Sequence, residues 1–108
     1  MPWHLINNSS TDDARSVTIE VDGSLSIDEI FYLEGDLIIE LNTEPYGSVT
    51  LDLRRFESTD FGLFAALYQI RKRIKNPQPM RILVIPGSEA ASTLHQGRFS
   101  TVYEIVEE

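Results

Sequence analysis

Between positions 49 and 74 the chain reads VTLDLRRFESTDFGLFAALYQIRKRI, and its most reactive side chains crowd the middle of that run. Asp52, Arg54, Arg55, Glu57, Ser58, Thr59 and Asp60 lie between a β-branched stretch and an amphipathic one. A strand that turns into a helix aims free backbone N–H groups, and the positive end of the helix dipole, at whatever approaches the loop. Glu57, Ser58, Thr59 and Asp60 are the side-chain types that accept such N–H bonds, so helix capping accounts for them before any ligand is invoked. Beyond capping, Arg54, Arg55, Glu57 and Asp60 supply charge that fixes orientation. Phe61, followed by Gly62 at the start of the helix, supplies an aromatic that can anchor in a partner pocket.

Other chemistry has little support. His4 and His95 are far apart and lack a ligand spacing such as HxxxH, and the chain has no cysteine, so no metal site is expected. Neither a GxSxG elbow nor a Walker-type glycine loop occurs, and no serine has a paired histidine and acid close by. The reading is therefore of a non-enzyme without catalytic residues, cofactor or metal.

The chain has 108 residues and 42% hydrophobic side chains, enough for one core and a single domain over 1–108. The absence of cysteine fits a reducing compartment. The N-terminal MPWHLINNSSTDD has neither a basic start nor a long apolar run, and no segment approaches the roughly 20 apolar residues of a membrane span. A cytoplasmic protein without direct membrane insertion is expected. The net charge of −8 is unevenly spread, because residues 12–60 hold 13 acids and 3 bases whereas 61–108 hold 4 acids and 6 bases. Arg71, Lys72, Arg73 and Lys75 sit where a helix ends and complement its dipole, and the acidic surroundings would repel phosphates. Nucleic-acid binding is not expected.

Val17, Ile19 and Val21 alternate with polar residues as in a half-buried strand, with a short edge strand at 3–6 and a loop over 7–16 before it. Ser26 and Glu29 have capping-box spacing, and the apolar spacing after them predicts a helix over 27–42 in which Gly35 signals close packing or a frayed turn. A buried strand at 49–53, a helix at 61–75, a buried strand at 82–85, a short helix from Ser88 to Gly97 and a closing strand at 102–106 follow. Phe61, Phe64 and Tyr68 form an aromatic stripe whose spacing suits packing. Val49, Leu51, Leu53, Leu67, Ile70, Leu83 and Ile85 are the expected core. This order implies an α/β sheet of four or five mostly parallel strands with helices packed on one side.

With those elements in place, residues 17–106 resemble a STAS domain, the sulfate-transporter and anti-sigma-factor-antagonist family. VTLDL, the loop and DFGLFAAL are similar to the family's strand, DSSGL-type turn and helix, and ILVIPGSEAASTLHQGRFSTVYEI is similar to its later strand, loop, short helix and closing strand. The resemblance implies a regulatory, signalling protein of bacterial type that binds a protein partner, an anti-sigma factor or switch kinase, through the loop 54–61, the start of the following helix and the loop around Asp22. In regulated members a partner kinase phosphorylates a Ser or Thr after an Asp at the mouth of this helix. Here the loop is one residue shorter: aligning on Gly62-Leu63 places Asp60 at that position, aligning on Asp60 places Phe61 there, and a displaced acceptor would have to be Ser58 or Thr59.

Two alternatives stand beside this reading. One is an accessory STAS subunit docked on a membrane transporter's ATPase. The other is a degenerate phosphoacceptor receiver domain, for which Asp52 is well placed; but Asp22 stands alone and ILVIPG lacks the needed Lys, so Asp52 is expected to be satisfied by Arg54 or backbone. The family's usual C-terminal helix is expected to be missing, with a partner or second copy, as in a homodimer, covering a sheet face or edge.

Overall fold

The computed structural model describes residues 3–9, 15–43, 46–57, 61–75 and 80–108. Five strands form one mixed sheet in the order β1 (Trp3–Ser9), β2 (Arg15–Val21), β3 (Tyr46–Asp52), β4 (Met80–Val84) and β5 (Glu104–Glu107). β1 and β2 are antiparallel, whereas each later pair is parallel. The connections carry α1 (Ile27–Thr43), α2 (Phe61–Arg73) and α3 (Glu89–Gln96), with a 3-10 turn at Phe99–Thr101. Because the strand order advances in one direction, right-handed crossovers bring the helices to the same face.

Local chemistry explains where the helices begin. The Ser26 N–H donates to Glu29 Oε1 at 2.9 Å while the Glu29 N–H donates to Ser26 Oγ at 3.2 Å, the reciprocal capping box that the spacing predicts. Ser88 starts α3 by accepting from the Ala91 N–H at 3.2 Å. At the other end, the Asn42 side chain donates to the Arg73 carbonyl and accepts from the Lys75 N–H, tying α1 and α2 together at their C-terminal ends. Gly35 departs from the sequence reading: a Cβ there would meet nothing within 4 Å, so it lies on the open side of an unbroken helix.

Burial alternates along β2 and β4, and along β3 from Ser48 to Leu51, after which Asp52 is buried too. Val17, Ile19, Val49, Leu51, Ile82 and Val84 are buried under the helices with Leu33, Leu37, Leu67 and Ile70. Thr18, Glu20, Thr50, Leu83 and Arg81 point the other way and none is buried. Two expected core residues must therefore be corrected: Leu83 is half-buried and Ile85 is 49% exposed. Leu83 pairs with Asp52, on the face away from the helices. A continuous apolar run reads as a strand covered on both faces, but this sheet is covered on one.

The closing strand begins two residues later than the pattern suggests. Tyr103 is buried and its hydroxyl donates to the Leu67 carbonyl at 2.5 Å, which holds residues 99–103 against α2 before β5 starts. Gly97 ends α3 as expected, yet with φ −82°. Its small size serves a close approach, since a Cβ would come within 2.8 Å of the Phe99 ring. No helix among the described residues is long and apolar enough to cross a membrane.

Candidate functional site

The carboxyl end of β3 turns sharply, the Phe56 N–H closing on the Leu53 carbonyl at 3.1 Å. This turn is tied sideways to the loop that follows β2. The Gly23 N–H donates to the Arg55 carbonyl at 2.9 Å, the Glu57 N–H donates to the Gly23 carbonyl at 2.8 Å, and Gly23 and Phe56 form a parallel bridge. Gly23 has φ +68°, a conformation that costs an L-residue about 1–2 kcal/mol and costs glycine little. The loops around Asp22 and 54–57 thus form one surface beside the N-terminal end of α2.

The two arginines on that surface have different jobs. Arg54 grips Asp52 bidentately, Nε to Oδ1 at 2.9 Å and Nη2 to Oδ2 at 2.8 Å, and its N–H also donates to Oδ1 at 3.1 Å. The Arg54 side-chain hydrogen bonds hold the Asp52 carboxyl below its ordinary pKa against the opposing cost of burial, with the charge of Arg55 adding a little. This is the satisfied aspartate expected above, and its oxygens are not presented as a phosphoacceptor. Arg55 is exposed, as is Glu57, and among the described residues Arg55 pairs with no acid. Gly62 lies half-buried in the first turn of α2.

Ser58, Thr59, Asp60 and the side chain of Phe61 lie outside the described residues. Asp22 is partly exposed: one carboxylate oxygen is 3.7 Å from His4 Nε2, and the other is buried without a partner among the described residues. His95 is 3.9 Å from Glu107, and no group of acids and histidines among the described residues could hold a metal ion.

Phe56 is the residue the sequence reading missed. Half-buried, it meets Phe64 edge-to-face at 6.4 Å, Phe64 meets Phe99 at 6.1 Å, and Tyr68 meets Phe99 at 6.4 Å. Phe64 of the aromatic stripe is thus packing, and through Phe56 it fixes the loop, while Tyr68 stays half exposed. A small cleft of about 150 Å³ separates this loop from the start of α3. On the other side of Arg54 a wider depression of about 460 Å³ carries Glu20, Asp52 and Glu108 with the two arginines. With three acids to two bases it offers an anion little net attraction.

No protein-family model matches the sequence, and a search of curated proteins gave no match. Among solved structures, the anti-sigma factor antagonist SpoIIAA in its unphosphorylated form is similar, with a TM-score of 0.63 and 11% identity. The match covers 97% of this chain and 89% of that one. A likeness running over almost the whole of both chains is one of fold and not of a shared motif, and this chain accordingly folds as a STAS-like domain.

Proposed function

We propose that the chain works by binding another protein, as an anti-sigma-factor-antagonist-like component of partner switching. The observation that carries the reading is the backbone pairing of Gly23 with the 55–57 segment, which makes two loops at the mouth of α2 into one rigid platform. Arg55 and Glu57 stand exposed on it, and Asp22 and Gly62 border it. Arg54 belongs to the platform as a strut held by Asp52, while Phe61 is the proposed aromatic anchor. Taking Gly62-Leu63 as the fixed point, Asp60 puts a permanent single negative charge where related proteins place a phosphate that comes and goes. A carboxylate has less charge and fewer acceptor oxygens, so the partner would see a partial mimic that no kinase can reset.

Affinity capture with the unmutated chain and with Arg55→Glu, followed by mass spectrometry, tests this. A switch kinase or anti-sigma factor held by the first and lost by the second supports the proposal. Capture of a transporter ATPase would assign the domain to a transporter instead. Phosphopeptides at Ser58 or Thr59 in protein from its native cell would sink the loss of the switch.

A further inference from the structure

The two long helices carry opposite charge. α1 holds Asp28, Glu29, Glu34, Asp36 and Glu40 and no Lys or Arg, whereas α2 holds Arg71, Lys72 and Arg73 and no acid. Glu29 is used in the capping box and Glu40 accepts the Tyr46 hydroxyl. Among the described residues, however, Asp28, Glu34 and Asp36 meet no cation, and Lys72 and Arg73 meet no acid. The same outer face exposes Ile27, Phe31, Tyr32 and Ile39, each 63% or more accessible. Between the helices runs an apolar groove of about 240 Å³, lined by Ile30, Phe31, Gly62, Ala65 and Ala66 among others.

We propose that this face is an isologous interface between two copies of the chain. Each helix links two parallel strands, so α1 and α2 run in the same direction. A two-fold axis along the helices, over the groove, lays α1 of each copy on α2 of the other. Because Asn42 ties the C-terminal ends of the helices at one level, this operation brings the half of α1 bearing Asp36 opposite the last turns of α2, with Lys72. Phe31 and Tyr32 then lie over the small residues Ala65 and Ala66. A two-fold axis across the helices would instead set acidic α1 on acidic α1, which charge repulsion disfavours. Gly35 faces open space, so the opposing helix can approach closely at the centre of the patch. Two exposed aromatics and two isoleucines offer on the order of 500 Å² per copy, so two copies reach about the 1,000 Å² that a specific interface needs.

This surface shares Gly62 with the border of the platform at the mouth of α2 but none of its loop residues 54–57, and the inference stands whether or not those loops bind a partner. Sedimentation equilibrium of the full chain is expected to show a dimer at micromolar concentration that weakens with added salt. Asp36→Lys and Lys72→Glu should each weaken it by about tenfold or more, because the axis repeats every contact. An equimolar mixture of the two variants should associate again, since in the mixed pair both helix contacts are once more attractive. In the unmutated protein, concentration-dependent amide shifts should map to α1 and α2. A chain that stays monomeric up to ~1 mM, a dimer indifferent to both reversals, or a mixture that does not recover overturns the proposal.

Discussion

Ile82 and Leu83 are neighbours on one strand and live in different environments. Ile82 is fully buried beneath the helices, whereas Leu83 is half-buried on the open face opposite Asp52. The covered face is an apolar core. The open face is a surface of threonines and charges on which the buried Asp52 is held by an arginine. The difference teaches that chain connectivity, more than composition, decides which apolar residues hold this protein together. All crossovers turn the same way, so one face receives every helix and the other receives none.

The largest expected effect breaks that comparison most directly. Ile82→Ala should destabilise by about 2–5 kcal/mol, as truncation in a packed core does, while Leu83→Ala should cost under about 1 kcal/mol. Leu67→Ala, on the helix facing Ile82's side, belongs with the first. Urea midpoints at unchanged slope are the measure. Equal losses at positions 82 and 83 would mean that something covers the open face in solution.

At the edge where the two faces meet the loops, Gly23→Ala should cost about 1–2 kcal/mol, from backbone strain alone, since there is space for the methyl group. It should also lower affinity for a partner of the platform. A variant that loses stability but keeps full affinity would separate the loop pairing from binding.

Asp52 probes the open face by pH. Its folded pKa is depressed by Arg54, so it contributes stability that is complete above the ordinary carboxylate range and is lost as pH falls through the folded value. Asp52→Asn should therefore cost about 1 kcal/mol near neutral pH, a modest figure because the Arg54 side chain is 41% exposed. The gap between the two proteins should close as pH drops below about 4. A gap that persists in acid would assign the loss to packing.

Much of this was legible in the sequence. Period-two alternation located β2, serine caps located α1 and α3, and the spacing of Leu63, Leu67, Ile70 and Ile74 located α2. The core assignment failed at Leu83 and Ile85 because a run of apolar residues does not say how many faces are covered. The last strand was misplaced because nothing local marks Tyr103 as bonded to Leu67. For the site, the satisfaction of Asp52 by Arg54 could be read, since an aspartate two residues from an arginine at a strand end is a local signal. The bridge between Gly23 and Phe56 could not, since it joins segments distant in sequence through backbone atoms that carry no signature.

Two glycines sharpen the contrast between covered and open surface with the smallest effect. Gly97 is closed in by the Phe99 ring, whereas Gly35, in the middle of α1, has open space around it and negative φ. Gly35→Ala should therefore stabilise the monomer by about 0.5–1 kcal/mol, because alanine loses less backbone entropy in a helix. Measured at concentrations where copies do not associate, a stabilised Gly35→Ala places that face in solvent. A destabilised one would show a close neighbour already present within the folded chain, and the face of α1 would then have to be counted with the covered side.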